Sequence, residues 1–334
     1  MNERVYAIAL TAFRESIRDR ILFAVLGLGA ASVFFGLGLG SVSYGEAVRV
    51  LVDHGLLTIS LLANLIAIFL GANFLYKEVE LRTLYVLLAK PVMRRDVVVG
   101  KYAGILLAVL VFVMATASLL LALTTLVAAE ESVTGMQRAA ENVGLAVRLA
   151  RSRGARAVAL AAVLLGVPLA MLLRPVRRRV TLSSVAPAMT ALCLLVASIS
   201  RSVAPDDTAF VLWGCALTLA EVLITAAFSM LFSSFSTPFV TGMMSVGVFV
   251  ICRSTWLMQH VPRSVPAGMR VSLQAVSRVV PNLHLFVPER PILLPERLTQ
   301  SVPLYVAENV AYAGVWAALL VGAAVALFRK RDLV

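Results

Sequence analysis

The sequence predicts an all-α fold: a polytopic bundle of transmembrane helices preceded by an amphipathic, interfacial helix. Three observations carry that prediction. Of 334 residues 60% are hydrophobic and only 14% are charged, with a mean hydropathy of +0.92, against about 25% charged residues in ordinary soluble domains. No Asp, Glu, Lys or Arg occurs in residues 21–45, 55–76, 102–129 or 309–328, and each run reaches the roughly 20 residues that a helix needs to cross about 30 Å of hydrocarbon. The basic residues behind the net charge of +12 flank these runs. That is the charge of membrane loops, not the basic surface interleaved with aromatics that nucleic acid requires.

Residues 1–20 form the first unit. Val5, Ala9, Ala12, Phe13 and Ser16/Ile17 fall on one helical face and Thr11, Arg14, Glu15 and Arg18 on another, the pattern of a helix lying on a membrane surface, with a solvated helical extension as the alternative. No signal-peptide layout precedes the first apolar run, so that span is expected to be kept. Residues 21–128 hold three spans. The first carries the Gly36-x-x-x-Gly40 spacing, which permits close helix approach. Between spans two and three, residues 77–101 form a short loop with basic Lys77, Arg82, Lys90, Arg94, Arg95 and Lys101, expected on the cytoplasmic side. Within it Leu81, Leu84, Tyr85 and Leu88 recur at helical spacing before Pro91 stops the pattern, giving a short amphipathic helix able to dock a partner.

Residues 129–207 are an inserted region. Two weaker apolar runs, 157–173 and 180–200, flank Arg174, Pro175 and the cluster Arg177, Arg178 and Arg179. If both runs cross, the cluster faces the cytoplasm as the positive-inside tendency requires and the bundle has eight spans; if they do not, it has six, and 157–173 with its Pro168 is also compatible with a re-entrant hairpin. Residues 208–334 complete the bundle. The stretch 208–252 contains one charge, Glu221, and the polar turn Ser233 to Pro238 divides it into a helical pair with a tight cytoplasmic connection. Residues 253–303 are a proline-rich external segment in which Met269, Leu273, Val276 and Val280 make an apolar stripe against Arg270, Gln274, Ser277 and Arg278, as expected of a helix dipping into the outer interface. Arg329, Lys330 and Arg331 follow the last span and place the C-terminus inside.

Little in the chain points to chemistry of its own. Gly100-Lys101 is followed by Tyr102 and lacks the upstream glycine of a phosphate-binding loop, so ATP hydrolysis is not expected here. His54, His260 and His284 are scattered, and Met230, Met243, Met244 and Met258 have no histidine or cysteine at regular spacing. Cys193, Cys215 and Cys252 all lie in or at the end of apolar segments, where they serve packing. No catalytic residue, metal site or cofactor is therefore expected. Glu221 is the exception to the uniform apolarity of the interior, because a charge at that depth costs at least about 2.5 kcal/mol. Two readings fit it equally: a polar contact in a transport path or between subunits, and a protonated carboxyl bonded to a neighbouring helix. Glu308, near the outer end of the last span, reads as interfacial.

Several segments, in order, resemble the ABC-2 type permeases, a family that includes the permease of the nitrous oxide reductase maturation system. They are Ala7-Ile8-Ala9-Leu10-Thr11-Ala12-Phe13-Arg14-Glu15, similar to that family's elbow helix; Tyr76-Lys77-Glu78-Val79-Glu80 through Leu88-Ala89-Lys90-Pro91-Val92 and Gly100-Lys101-Tyr102; Leu231-Phe232-Ser233-Ser234-Phe235 with Pro238; Pro281-Asn282-Leu283-His284-Leu285-Phe286; and Phe328-Arg329-Lys330-Arg331-Asp332-Leu333. The resemblance covers residues 1–128 and 208–334, and 129–207 departs from the usual six-span plan. It implies a permease, not an enzyme, in the bacterial cytoplasmic (inner) membrane with both termini cytoplasmic. Such a permease pairs with a second copy, identical or not, and exports its substrate using a separate cytosolic ABC ATPase. It further implies that Lys77, Glu78, Glu80, Arg82, Lys90, Arg94 and Arg95 couple to that ATPase. A channel or secondary transporter and a membrane assembly or anchor protein are the alternatives. A secondary transporter would show intramembrane ionisable pairs or matching halves, and an anchor would have no partner ATPase.

Overall fold

The computed structural model describes residues 3–18, 20–43, 46–80, 94–139, 185–262, 266–287 and 301–330, and among them every regular element is helical. In chain order the helices are α1 (Glu3–Arg18), α2 (Arg20–Val42), α3 (Ala47–Glu80), α4 (Arg94–Ala139), α5 (Val185–Ser200), α6 (Pro205–Ser233), α7 (Pro238–Arg253), α8 (Thr255–Gln259), α9 (Ala267–Val279) and α10 (Val302–Lys330), with a 3-10 turn at Leu283–Phe286 before α10. Five are long and apolar enough to cross a membrane: α2, α3, α4, α6 and α10. α5 and α7 are apolar but have only 16 residues each. The run 157–173 and the loop positions Arg82 and Lys90, with the amphipathic pattern at 81–88, lie outside the described residues.

The core is built around α3, α4 and α6. α3 packs most extensively on α6, and two small residues let the backbones close. A Cβ added to Gly71 would stand 2.5 Å from Ser229 Oγ, so only glycine fits there. Ser229 Oγ donates to the Ile68 carbonyl at 2.9 Å and Ser233 Oγ to that of Ala72 at 3.3 Å, satisfying hydroxyls that have no water to turn to. α2 lies against the start of α3 through Gly36 and Gly40; a Cβ on Gly40 would meet the Ala47 carbonyl oxygen at 3.0 Å. α10 packs on α6 through Val306, Ala313, Ala317, Leu320 and Ala324, buried at intervals of three, four and seven, while Val315 and Leu319 face outward.

The sequence features at the helix ends behave as their chemistry dictates. Pro205 and Pro238 open α6 and α7 at positions where a missing N–H costs nothing, and Asp206 and Asp207 stand in the first turn of α6, facing its positive dipole end. The break between them, Ser234 to Thr237, falls within the polar turn expected from the sequence. α1 buries Val5, Ala9, Ala12, Phe13, Ser16 and Ile17 and leaves Thr11, Arg14 and Glu15 exposed. Its partner is α4, where Gly100 and Gly104 present bare backbone; a Cβ on Gly104 would come within 2.6 Å of Ala12 Cβ. The apolar face of this helix is thus engaged by protein, and its amphipathicity does not by itself require a lipid surface.

Candidate functional site

The polar centre of the bundle forms where α3, α6 and α7 meet. α7 begins at Pro238 and its apolar run of 15 residues ends at Arg253, about 22 Å along the axis, short of the roughly 30 Å hydrocarbon core. Glu221 sits in α6 twelve residues before Ser233, about 18 Å from the same end of the helical pair. Antiparallel neighbours of these lengths bring the two charges to one depth, and Arg253 Nη1 donates to Glu221 Oε1 at 2.5 Å. α3 supplies the rest. Ser60, midway along the apolar stretch Ala47–Asn73, donates from Oγ to Glu221 Oε2 at 2.9 Å, and Asn64 Nδ2 donates to the same oxygen at 3.0 Å. Arg253 Nη1 also reaches Ser60 Oγ at 3.2 Å, and the Phe249 ring lies 5.7 Å from the guanidinium carbon.

The site is asymmetric. The Glu221 side chain is fully buried with three donors on its two oxygens, whereas Arg253 keeps 24% of its side-chain surface exposed. Asn64 is spent on one side only: Nδ2 also donates to the Ser60 carbonyl at 2.9 Å, while Oδ1 is buried without a hydrogen-bond partner. An ion pair removed from water costs several kcal/mol per ion unless the remaining donors and acceptors are met, and here Ser60 and both Glu221 oxygens have partners while Asn64 Oδ1 has none. Sequence reading singled out Glu221 but assigned Arg253 to the external segment. The signal that pairs them is length: the α7 run is short enough for the charge that ends it to fall beside Glu221 on the antiparallel α6.

A second polar contact joins α2 to α3. Ser32 Oγ lies 3.2 Å from His54 Nε2 and 3.0 Å from Thr58 Oγ1. Between α1, α4, α6 and α10 is an apolar cavity of about 480 Å³ lined by Tyr6, Leu106, Leu110, Leu219, Leu223 and Val310 among others, a space suited to hydrocarbon. Tyr102, beside the Gly100-Lys101 pair, donates from its hydroxyl to the Leu223 carbonyl at 2.8 Å and ties α4 to α6.

The residues expected to couple to an ATPase are placed at the ends of the two longest helices. Lys77, Glu78 and Glu80 lie in the last turns of α3, beyond the apolar stretch that ends at Asn73, and Arg94 and Arg95 open α4. Arg95 is exposed and its Nε stands 3.4 Å from Asp96 Oδ1. The four methionines do not gather: Met230 is buried in α6 while Met243 and Met244 are exposed on α7. Among the described residues no group of three His, Cys, Asp or Glu side chains comes together to hold a metal ion.

The family model of the ABC-2 family transporter protein matches residues 6–333. The chain belongs to the ABC-2 transporter family. A search of curated proteins finds no match. With its apolar helices, membership makes this chain a multi-pass membrane permease subunit of an ABC transporter, a class in which transport and ATP hydrolysis are divided between this kind of subunit and a cytosolic ATPase. The match includes 129–207, the stretch in which sequence motifs alone departed from the family pattern.

Proposed function

We propose that this ABC-2 subunit is an exporter half that takes its energy from a separate cytosolic ATPase docked on the segment 77–101. The observation that carries the proposal is the reach of α3 and α4 past the bilayer. α3 has 34 residues and α4 has 46, roughly 50 and 70 Å against about 30 Å of hydrocarbon. α3 runs past its apolar stretch by residues 74–80 into the charged segment, and α4 starts in that segment at Arg94, its own excess, 130–139, being at the other end. A partner seated on 77–101 would hold two levers that run uninterrupted into the bundle. Closure of the ATPase would shift them as rigid bodies, and α3 carries Ser60 and Asn64 into the polar centre.

In this reading both termini and residues 77–101 are cytoplasmic, the bacterial inner membrane is the site of action, and α1 acts as an elbow at the cytoplasmic interface. A second permease copy completes the path. The motif order, similar to the permease of the nitrous oxide reductase maturation system, supports that arrangement. Affinity purification of the tagged chain from its native membrane tests the proposal. A stoichiometric protein carrying a phosphate-binding GxxxxGK[ST] loop is expected in the eluate; an eluate without such an ATPase would remove the ABC reading in favour of an anchor or a channel.

A further inference from the structure

Arg253 has more donors than its ion pair uses. Only Nη1 is engaged, by Glu221 and Ser60, and Nε and Nη2 make no hydrogen bond with any described residue. The guanidinium nevertheless stands about 22 Å from the start of α7, level with the middle of the apolar stretch of α3. Unpaired N–H groups at that depth are costly against acyl chains, so the open side of Arg253 favours a polar or anionic neighbour.

The surface around it has a defined character. Among the described side chains of α3 the exposed stripe runs from Arg49 and Asp53 through Leu57, Leu61, Leu65 and Phe69; on α7, Val246 and Val250 are exposed in the turns leading to Arg253. The apolar faces open on α2, on α5 at Leu194 and Leu195, and on α10 around Val315 and Leu319 belong to charge-free runs, and exposed Met269, Val271 and Val279 with Arg270 and Arg278 lie on the short helix α9. Arg253 alone places a cation at mid-depth on an exposed apolar wall of the described residues.

We propose that this wall is a substrate-binding site and that its ligand is an anionic amphiphile, a carboxylate or phosphate on an apolar body. A guanidinium with two nitrogens unspent offers the fork geometry that a pair of anionic oxygens fits, and the α3 stripe supplies contact for the hydrocarbon. The bound head competes with Glu221 for one positive charge; when the guanidinium turns outward, Ser60 and Asn64 still donate to Glu221 Oε2, and Oε1 loses its donor. The proposal rests on the exporter reading but has a separate test.

The probes are fluorescent anthroyloxystearate and its methyl ester, titrated against the purified chain in a neutral detergent. The wild type binds the acid about tenfold more tightly than the ester, the scale of one charge-assisted fork. Arg253→Gln abolishes that preference and leaves ester binding in place. Glu221→Gln removes the competitor and tightens acid binding several-fold. Should Arg253→Gln fail to give a monodisperse protein, the double variant Glu221→Gln/Arg253→Gln, which leaves no buried charge, replaces it and binds acid and ester alike. An alkyl phosphate probe following the same order shows that the site reads the anion and not the carboxyl group. Equal binding of acid and ester by the wild type, or a preference that survives loss of Arg253, overturns the proposal, as does weaker acid binding by Glu221→Gln. Each of these failures leaves the co-purification of an ATPase untouched.

Discussion

Glu221 and Arg253 are separated by 32 positions, and only the hairpin of α6 and α7 makes them neighbours. Removing one member leaves the other charged or unsolvated in the interior, which costs about 3–5 kcal/mol for buried pairs. Glu221→Ala is therefore expected to lose stability on that scale in reversible detergent unfolding, and Glu221→Gln/Arg253→Gln to recover most of it. A double variant no more stable than Glu221→Ala would mean that the pair is not the unit. The carboxylate itself was legible in the sequence as the one charge of a 45-residue apolar stretch. Its partners were not. Ser60 and Asn64 are ordinary polar residues in a span, and nothing in their spacing says which helix they face until α3 is laid on α6.

At the scale of the helix, glycine positions decide which elements touch. Gly71 admits Ser229, and Gly104 admits Ala12 and the Ala9 carbonyl of α1. Replacing Gly71 with Val inserts branched carbon where 2.5 Å separates a hypothetical Cβ from a hydroxyl, and a loss of about 1–3 kcal/mol is expected for overpacking of this kind. Gly104→Leu should instead free α1, seen as new protease cleavage near residues 14–18 with α3 and α6 still protected. Cleavage unchanged from the wild type would show that α1 is held elsewhere. The existence of the spans was plain in the charge-free runs, because burial of a helix in lipid depends on composition over 20 residues and hardly on packing. Packing detail was less legible. The apolar face of α1 reads equally as a lipid-facing or a protein-facing stripe, since both solvents select the same side chains. α9 departs from its expected stripe: Met269 and Val276 are exposed but Leu273 and Val280 are half-buried, and the outward face also carries Val271, Ser272, Arg278 and Val279 while Ser277 is buried.

Across the described residues, a centre of α3, α4 and α6 carries the buried Glu221–Arg253 contact with α7, and charged residues stand at the ends of α3 and α4. Family membership accounts for the division of labour, and under the proposed coupling the continuous helix α3 would carry events at 77–101 to Ser60 and Asn64. The span count depends on 157–173, and the positive-inside argument that favours eight uses Arg174 and Arg177 to Arg179. Sequence composition settled the membrane class because that class needs only averaged apolarity, whereas the coupling role of single residues depends on a partner surface that the chain does not encode. The decisive measurement is ATPase retention and ATP-driven turnover by complexes purified on this chain, comparing the wild type with Arg82→Glu/Arg94→Glu/Arg95→Glu. Charge reversal at a docking surface is expected to lower both by about tenfold with the permease still folded; retention and turnover equal to the wild type would contradict coupling through this segment.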